Sequence, residues 1–258
     1  MIERLLSGRR LPAALERIDR PQAILLAIGL AVVSAIGWLV GPVALAAAIA
    51  VQLTIGGFGA VALIGPARRG LGLARYTTLA LAAVAATLFG RLLPGGVSLL
   101  FVPLVAVLLW SILWLELREM RDASVRTGLD LALTGIVFGG AAGIDHLFPS
   151  EAWPPPLALV ALLAFLVGLR AAESRGTGGA QAVGQALLHA LAVAQVGAAV
   201  ALLDLQGVVG PAIIALAFYT WAGAAEALEG GARARAVAIE FGSLALLGLA
   251  VALLLHRG

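Results

Sequence analysis

Between Arg20 and Arg68 the chain runs 47 residues without a formal charge. As one α-helix that stretch would be about 70 Å long, more than twice the roughly 30 Å hydrocarbon thickness of a bilayer. It must therefore fold back on itself. Gly41 and Pro42 are the natural place for a tight turn, which divides the run into spans at 22–40 and 43–64.

The rest of the chain continues in the same way. Apolar side chains make up 62% of the 258 residues and charged ones 12%, and the mean hydropathy is +1.05. An ordinary soluble domain is excluded, since its apolar share is about 45–50% even with glycine counted. Runs bounded by Arg, Gly or Pro place seven further spans at 76–93, 97–117, 127–147, 156–169, 180–203, 209–228 and 237–255. The fold class is thus all-α, a polytopic transmembrane helical bundle of about nine spans over residues 21–258, with no room for a soluble domain. The sixth span is the shortest, and removing it gives an eight-span alternative.

Arginine placement separates these two counts. All 17 basic residues are Arg, and they lie between apolar runs, where they orient the protein rather than bind nucleic acid. With nine spans and the amino end inside, Arg91 and Arg257 alone fall outside. The inner group is Arg4, Arg9, Arg10, Arg17, Arg20, Arg68, Arg69, Arg75, Arg118, Arg121, Arg126, Arg170, Arg175, Arg233 and Arg235. Deleting the sixth span would leave Arg170 and Arg175 outside and invert every later loop. Trp38, Trp110, Trp114, Trp153 and Tyr76 are expected near span ends, in aromatic belts.

Residues 1–20 place Ile2, Leu5, Leu6, Leu15 and Ile18 among arginines, in keeping with a basic interfacial segment on the inner leaflet. A frayed topology-setting tail is the other reading, because Pro12 interrupts the pattern. The apolar run that follows is too long for a signal peptide, so the start reads as uncleaved.

Polar groups within the spans are costly and need a reason. Gln181, Gln185, His189 and Gln195 share an arc of about 120° on the seventh span, a face expected to look into the bundle or a wet cavity. On the fifth span, Gly135, Gly139 and Gly143 form a row suited to close helix packing. Asp130 is one turn beyond Arg126, which favours an ion pair at the inner interface, and Asp145 and His146 reach the outer end, where solvation accounts for them. Glu226, Glu229, Arg233, Arg235 and Glu240 are expected to neutralise one another near the inner surface. Gln52, Thr54, Ser111 and Thr220 can bond to backbone carbonyls or neighbouring helices.

Chemical signatures are sparse. Without cysteine or lysine there is no disulfide, iron–sulfur cluster, Walker lysine or retinal Schiff base. His146, His189 and His256 form no HExxH pair, no GxSxG elbow occurs, and no paired aspartates are spaced to hold Mg²⁺-pyrophosphate. The glycine-rich ESRGTGGAQAVG lacks the preceding strand and following basic residue of a phosphate loop. The sequence assigns no metal and leaves any cofactor unknown.

The closing segment FYTWAGAAEALEGGARARAVAIEFG carries Phe218, Tyr219, Gly223, Glu226, Arg235, Glu240, Phe241 and Gly242. It resembles the end of an uncharacterised bacterial multispan family known as a domain of unknown function, with weaker echoes over Glu116 to Asp130 and Arg170 to Leu188. That resemblance implies a bacterial multispan protein of the cytoplasmic membrane and no specific activity.

Three functions compete. Short loops and small-residue surfaces point to a noncatalytic membrane subunit or scaffold, partnered by the bilayer and by further copies or a larger complex. The face around His189, with Asp130, Asp145, Glu226 and Glu240, points to an ion-coupled or small-molecule carrier, which requires a solvent-accessible cavity at His189 or Gln185. A lipid-modifying enzyme requires these groups to converge on one pocket.

Overall fold

The computed structural model describes residues 20–64, 72–118, 123–148, 154–203, 205 and 207–256. The segment before Arg20, and Arg68, Arg69, Arg121 and Trp153, lie outside the described residues. Among the described residues nine α-helices follow one another: α1 Arg20–Leu39, α2 Pro42–Ile64, α3 Thr78–Gly90, α4 Val102–Arg118, α5 Ala123–Leu147, α6 Pro155–Ser174, α7 Gly179–Leu202, α8 Val209–Glu229 and α9 Ala234–His256. Two 3-10 helices, Leu73–Tyr76 and Gly95–Phe101, lead into α3 and α4. Eight of the helical segments are long and apolar enough to cross a membrane. The chain is a multi-pass, all-α membrane bundle.

The helix too short to qualify is α3, with 13 residues, and not the sixth. An α-helix of that length covers about 20 Å, and the preceding 3-10 turn adds roughly 8 Å. Its ends nevertheless sit at opposite ends of the bundle. At its start, Arg75 Nη2 donates to the Glu116 carbonyl at the end of α4. Past its last residue, Arg91 Nη1 donates to the Gly37 and Val40 carbonyls at the end of α1, at 2.7 and 2.8 Å. A cation placed there satisfies carbonyls that have no partner inside α1 and suits the negative end of its dipole.

The other helices alternate likewise. The end of α6 meets the start of α3 through Glu173 and the end of α8 through Arg175. Gly223 and Leu216 of α8 contact Phe241 and Gly248 of α9, an antiparallel order. The nine helices of the described residues therefore run end to end through the bundle, and Arg75, Arg118, Arg126, Arg170, Arg175, Arg233 and Arg235 belong to one end of it.

Length at α6 is explained by pairing. Expected to stop at Leu169 before a charge, it continues to Ser174 and spans 20 residues. Arg170 does not end the helix because its charge is neutralised inside the bundle.

The core is built around α3, ten of whose residues are buried and which packs against α1, α2, α4 and α5. Glycines admit these neighbours. A Cβ at Gly56 would stand 2.9 Å from the Ala80 Cα, and one at Gly143 would stand 2.5 Å from the Leu88 carbonyl carbon. Gly139 also faces α3, whereas Gly135 faces open space, so the glycine row packs at two of its three positions. In the second half, α6 lies closely along α7, α8 lies against α5 and α7, and α9 packs chiefly on α8. Only 6% of the α9 span is buried.

Two aromatic expectations are corrected by this packing. Trp38 is buried under Gly90, and its indole N–H donates to the Ala86 carbonyl at 3.2 Å, while Tyr76 is buried as well. Each sits near a helix end yet turns inward. Trp114 stays half-exposed, with the Arg118 guanidinium 4.3 Å above its ring, a cation–π contact at a helix end.

Candidate functional site

Polar side chains collect at three places. The first joins α4 and α6 at the arginine-rich end. Arg170 Nε and Nη2 donate to Glu116 Oε1 and Oε2 at 2.9 and 2.7 Å, and the two side chains are 2% and 1% exposed. Two parallel bonds match the planar guanidinium to the carboxylate, the geometry that best offsets the cost of removing both charges from water. Arg75 adds its 2.6 Å bond to the Glu116 carbonyl. Beside it, the Ala74 N–H donates to Glu173 Oε2 at 3.1 Å. A Cβ on Gly72 would overlap that carboxylate, so a side chain there would displace Glu173 from the 3-10 turn before α3.

The second lies mid-bundle among α1, α2 and α3. The Gln52 amide nitrogen donates to Ser34 Oγ at 2.9 Å and to Thr87 Oγ1 at 2.7 Å. Both hydroxyls donate in turn to carbonyls one turn back, Ser34 to Leu30 and Thr87 to Ala83. Each hydroxyl can accept and donate at once, so one amide ties three helices in a chain of bonds.

The third contains much of the sequence-expected site. His189 of α7 is 1% exposed and packs its ring 5.4 Å from that of Phe218 on α8. Its backbone neighbour on α6 is Gly168, where a Cβ would stand 2.8 Å from His189 Cβ. Nδ1 is 2.8 Å from the Gln185 carbonyl, which makes that nitrogen the protonated one in a neutral ring. The half-buried Gln185 donates its amide to Glu229 Oε1. Glu229 Oε2 is 3.6 Å from Arg175 Nε, and Arg175 Nη1 donates to the Ala222 carbonyl at 3.0 Å. Asp130 of α5 lies within electrostatic reach of Glu226, Arg175, Arg126 and Arg170. The structure therefore gathers Asp130, Gln185, His189 and Glu226 at one end, adding Arg175, Arg170 and Glu229.

Other expected site residues lie apart. Gln181 and Gln195 are exposed, because the buried face of α7 is Ala182, Ala186, His189, Val193 and Gly197. The polar arc does not look into the bundle as a unit; small residues do, since they let the neighbouring backbones approach. Asp145 is exposed at the opposite end, on the wall of a largely apolar cavity of about 90 Å³ between α5, α6, α7 and α8. Glu240 is exposed on α9. The discrete pair expected between Asp130 and Arg126 is not formed, and Arg126 instead acts on Asp130 together with the two arginines of the α6 end. Glu229 likewise turns toward α6 and α7 rather than to Arg233 or Arg235.

Unsatisfied capacity is concentrated in the third cluster. Arg175 Nη2, Gln185 Oε1 and His189 Nε2 have no hydrogen-bond partner, and in the second cluster neither has Gln52 Oε1. The cavity lined by Asp145 reaches none of them. Among the described residues no three His, Asp or Glu side chains could share a metal ion.

The sequence marks Arg170 as an orienting charge and sets both Arg170 and Glu116 within the resemblance, without pairing them. A matched acid and base, each near the inner end of its own span, was the available signal. No family model matches the chain, and neither does any curated protein or solved structure.

Proposed function

We propose that the chain is a noncatalytic subunit or scaffold of a bacterial cytoplasmic membrane, with its amino end inside, and that it belongs to the uncharacterised multispan family its closing segment resembles. One observation carries this reading. Two sets of deeply buried polar groups bond across helices, Glu116 with Arg170 and the Gln52 amide nitrogen with Ser34 and Thr87, rather than lying along an opening. His189 is 1% exposed and packed between Phe218 and Gly168, where a carrier would need an open path. An enzyme would need acid, base and binding groups in one pocket, and the cavity at the opposite end has Asp145 as its sole ionisable lining residue.

Purification from native membranes in mild detergent tests the proposal. A stoichiometric partner or a defined homo-oligomer is the expected result, and a monodisperse solitary monomer overturns it.

The carrier reading keeps one specific observation, the spare polar atoms of Arg175, Gln185 and His189 beside Asp130 and Glu226. If this cluster is a working site, His189→Leu leaves insertion intact and abolishes substrate-dependent activity. Unchanged flux across a panel of ions at normal expression leaves His189 a packing residue.

A further inference from the structure

The face of α7 turned away from the bundle carries a polar group that the chain itself does not satisfy. Gln195 is exposed, and no hydrogen bond from it is formed among the described residues. It lies about 7 Å along the axis from the middle of α7, inside the roughly 15 Å half-thickness of the hydrocarbon and deeper than a glutamine side chain can reach out of. Lipid tails offer no partner for an amide.

Gln195 is one point of a regular seam. Gln181, Gly184, Leu188, Leu191, Gln195 and Leu202 are all exposed, mostly three or four residues apart. On a helical projection their midline lies about 160° from that of the buried Ala182, Ala186, His189, Val193 and Gly197. Alternating spacings of three and four are the pattern of two helices packed side by side with a left-handed crossing. From Gln181 to Leu202 the seam is about 32 Å long, enough to run the full hydrocarbon thickness. Gly184 sits in it with nothing within 4 Å of its Cβ position, so within one chain that glycine has no packing role.

We propose that two copies of this chain associate through this face of α7, with the Gln195 amides hydrogen-bonded to each other and the backbones close at Gly184. The inference rests on the subunit reading and names its partner as a second copy. Self-complementarity is the reason. Insertion fixes every copy in the same orientation, so a two-fold axis along the membrane normal sets Gln195 opposite its own equivalent. A primary amide is both donor and acceptor and therefore pairs with itself. No Asp, Glu, Lys or Arg lies on α7, so nothing along the seam repels a like copy.

The absence of cysteine from the chain makes the test direct. Leu188→Cys and Leu191→Cys are oxidised in native membranes, with Val183→Cys as an exposed position on the flank of α7. Disulfide-linked dimers are expected at 188 and 191 and not at 183. Adding Gln195→Leu or Gly184→Leu reduces them about tenfold, the scale of one interhelical hydrogen bond or its close contact. Both added substitutions fall on open surface, so expression and melting of the monomer in detergent stay unchanged. Absent or equal crosslinking at all three positions, or crosslinking indifferent to Gln195→Leu, overturns the proposal. If crosslinks fail but a different protein copurifies, the subunit reading stands without this interface; if a solitary monomer is recovered, both fall.

Discussion

Two buried polar clusters share the arginine-rich end and share α6, yet they are finished differently. Arg170 meets Glu116 with two bonds and almost no exposure. One turn later, Arg175 makes one carbonyl bond and a loose contact with Glu229, and Gln185 and His189 beside it retain unpartnered atoms. The contrast teaches that a carboxylate is buried only where its charge is fully paired: Glu116 with Arg170 is fully buried, whereas Glu226 and Glu229 of the looser cluster stay exposed at the helix end. The first cluster is a tie between helices. The second has capacity left for something else.

The largest expected effect is on the closed pair. Glu116→Ala or Arg170→Ala strands an opposite charge, which costs about 3–5 kcal/mol, measured by unfolding in detergent against the parent chain. Glu116→Leu combined with Arg170→Met should recover most of that loss, because two apolar side chains leave no orphan charge. A double variant as unstable as the singles would show that shape, not charge, decides the site and would erase the contrast. Next in size is Gly143→Ala, whose Cβ would drive into the backbone at Leu88; about 1–3 kcal/mol is expected from overpacking.

Gln52→Leu should cost less, about 1 kcal/mol, since Ser34 and Thr87 keep their own carbonyl partners. The smallest effect is expected at His189→Leu, below about 1 kcal/mol, as the replacement still packs against Phe218 and Gly168 and removes an unpartnered nitrogen. A loss there as large as that at Glu116 would put both clusters in the same class.

The bundle was legible because uncharged length has one physical use in such a chain, and the turn at Gly41 and Pro42 falls where the length argument required it. Boundaries were less legible wherever a charge is neutralised by a distant residue, since Arg170 reads as a stop until Glu116 stands opposite it. The shortest helix was misplaced for a related reason: α3 is surrounded by protein and completes its crossing with a 3-10 turn, which periodicity does not register.

At the candidate site, the helical projection of α7 gave correct relative angles but not the direction of the bundle. Polarity suggested one side, and the small residues Ala182, Ala186 and Gly197 decided another. Asp130, Gln185, His189 and Glu226 converge because helix ends of the same hand meet, whereas Asp145 was separated by the full length of α5. From sequence, Arg175 reads only as an orienting loop charge and Glu229 as a partner of Arg233 and Arg235, because nothing local marks a pair that forms across helices.

An odd number of crossings is the claim on which every depth and every partner assignment rests. Reporters of compartment fused before Met1 and after Gly258 measure it directly, in cells of the same strain. The account predicts that the amino-terminal fusion reports the cytosol and the carboxy-terminal fusion the opposite side. Both fusions reporting the same compartment would contradict it, and would mean that α3, or another helix, enters the membrane without traversing it.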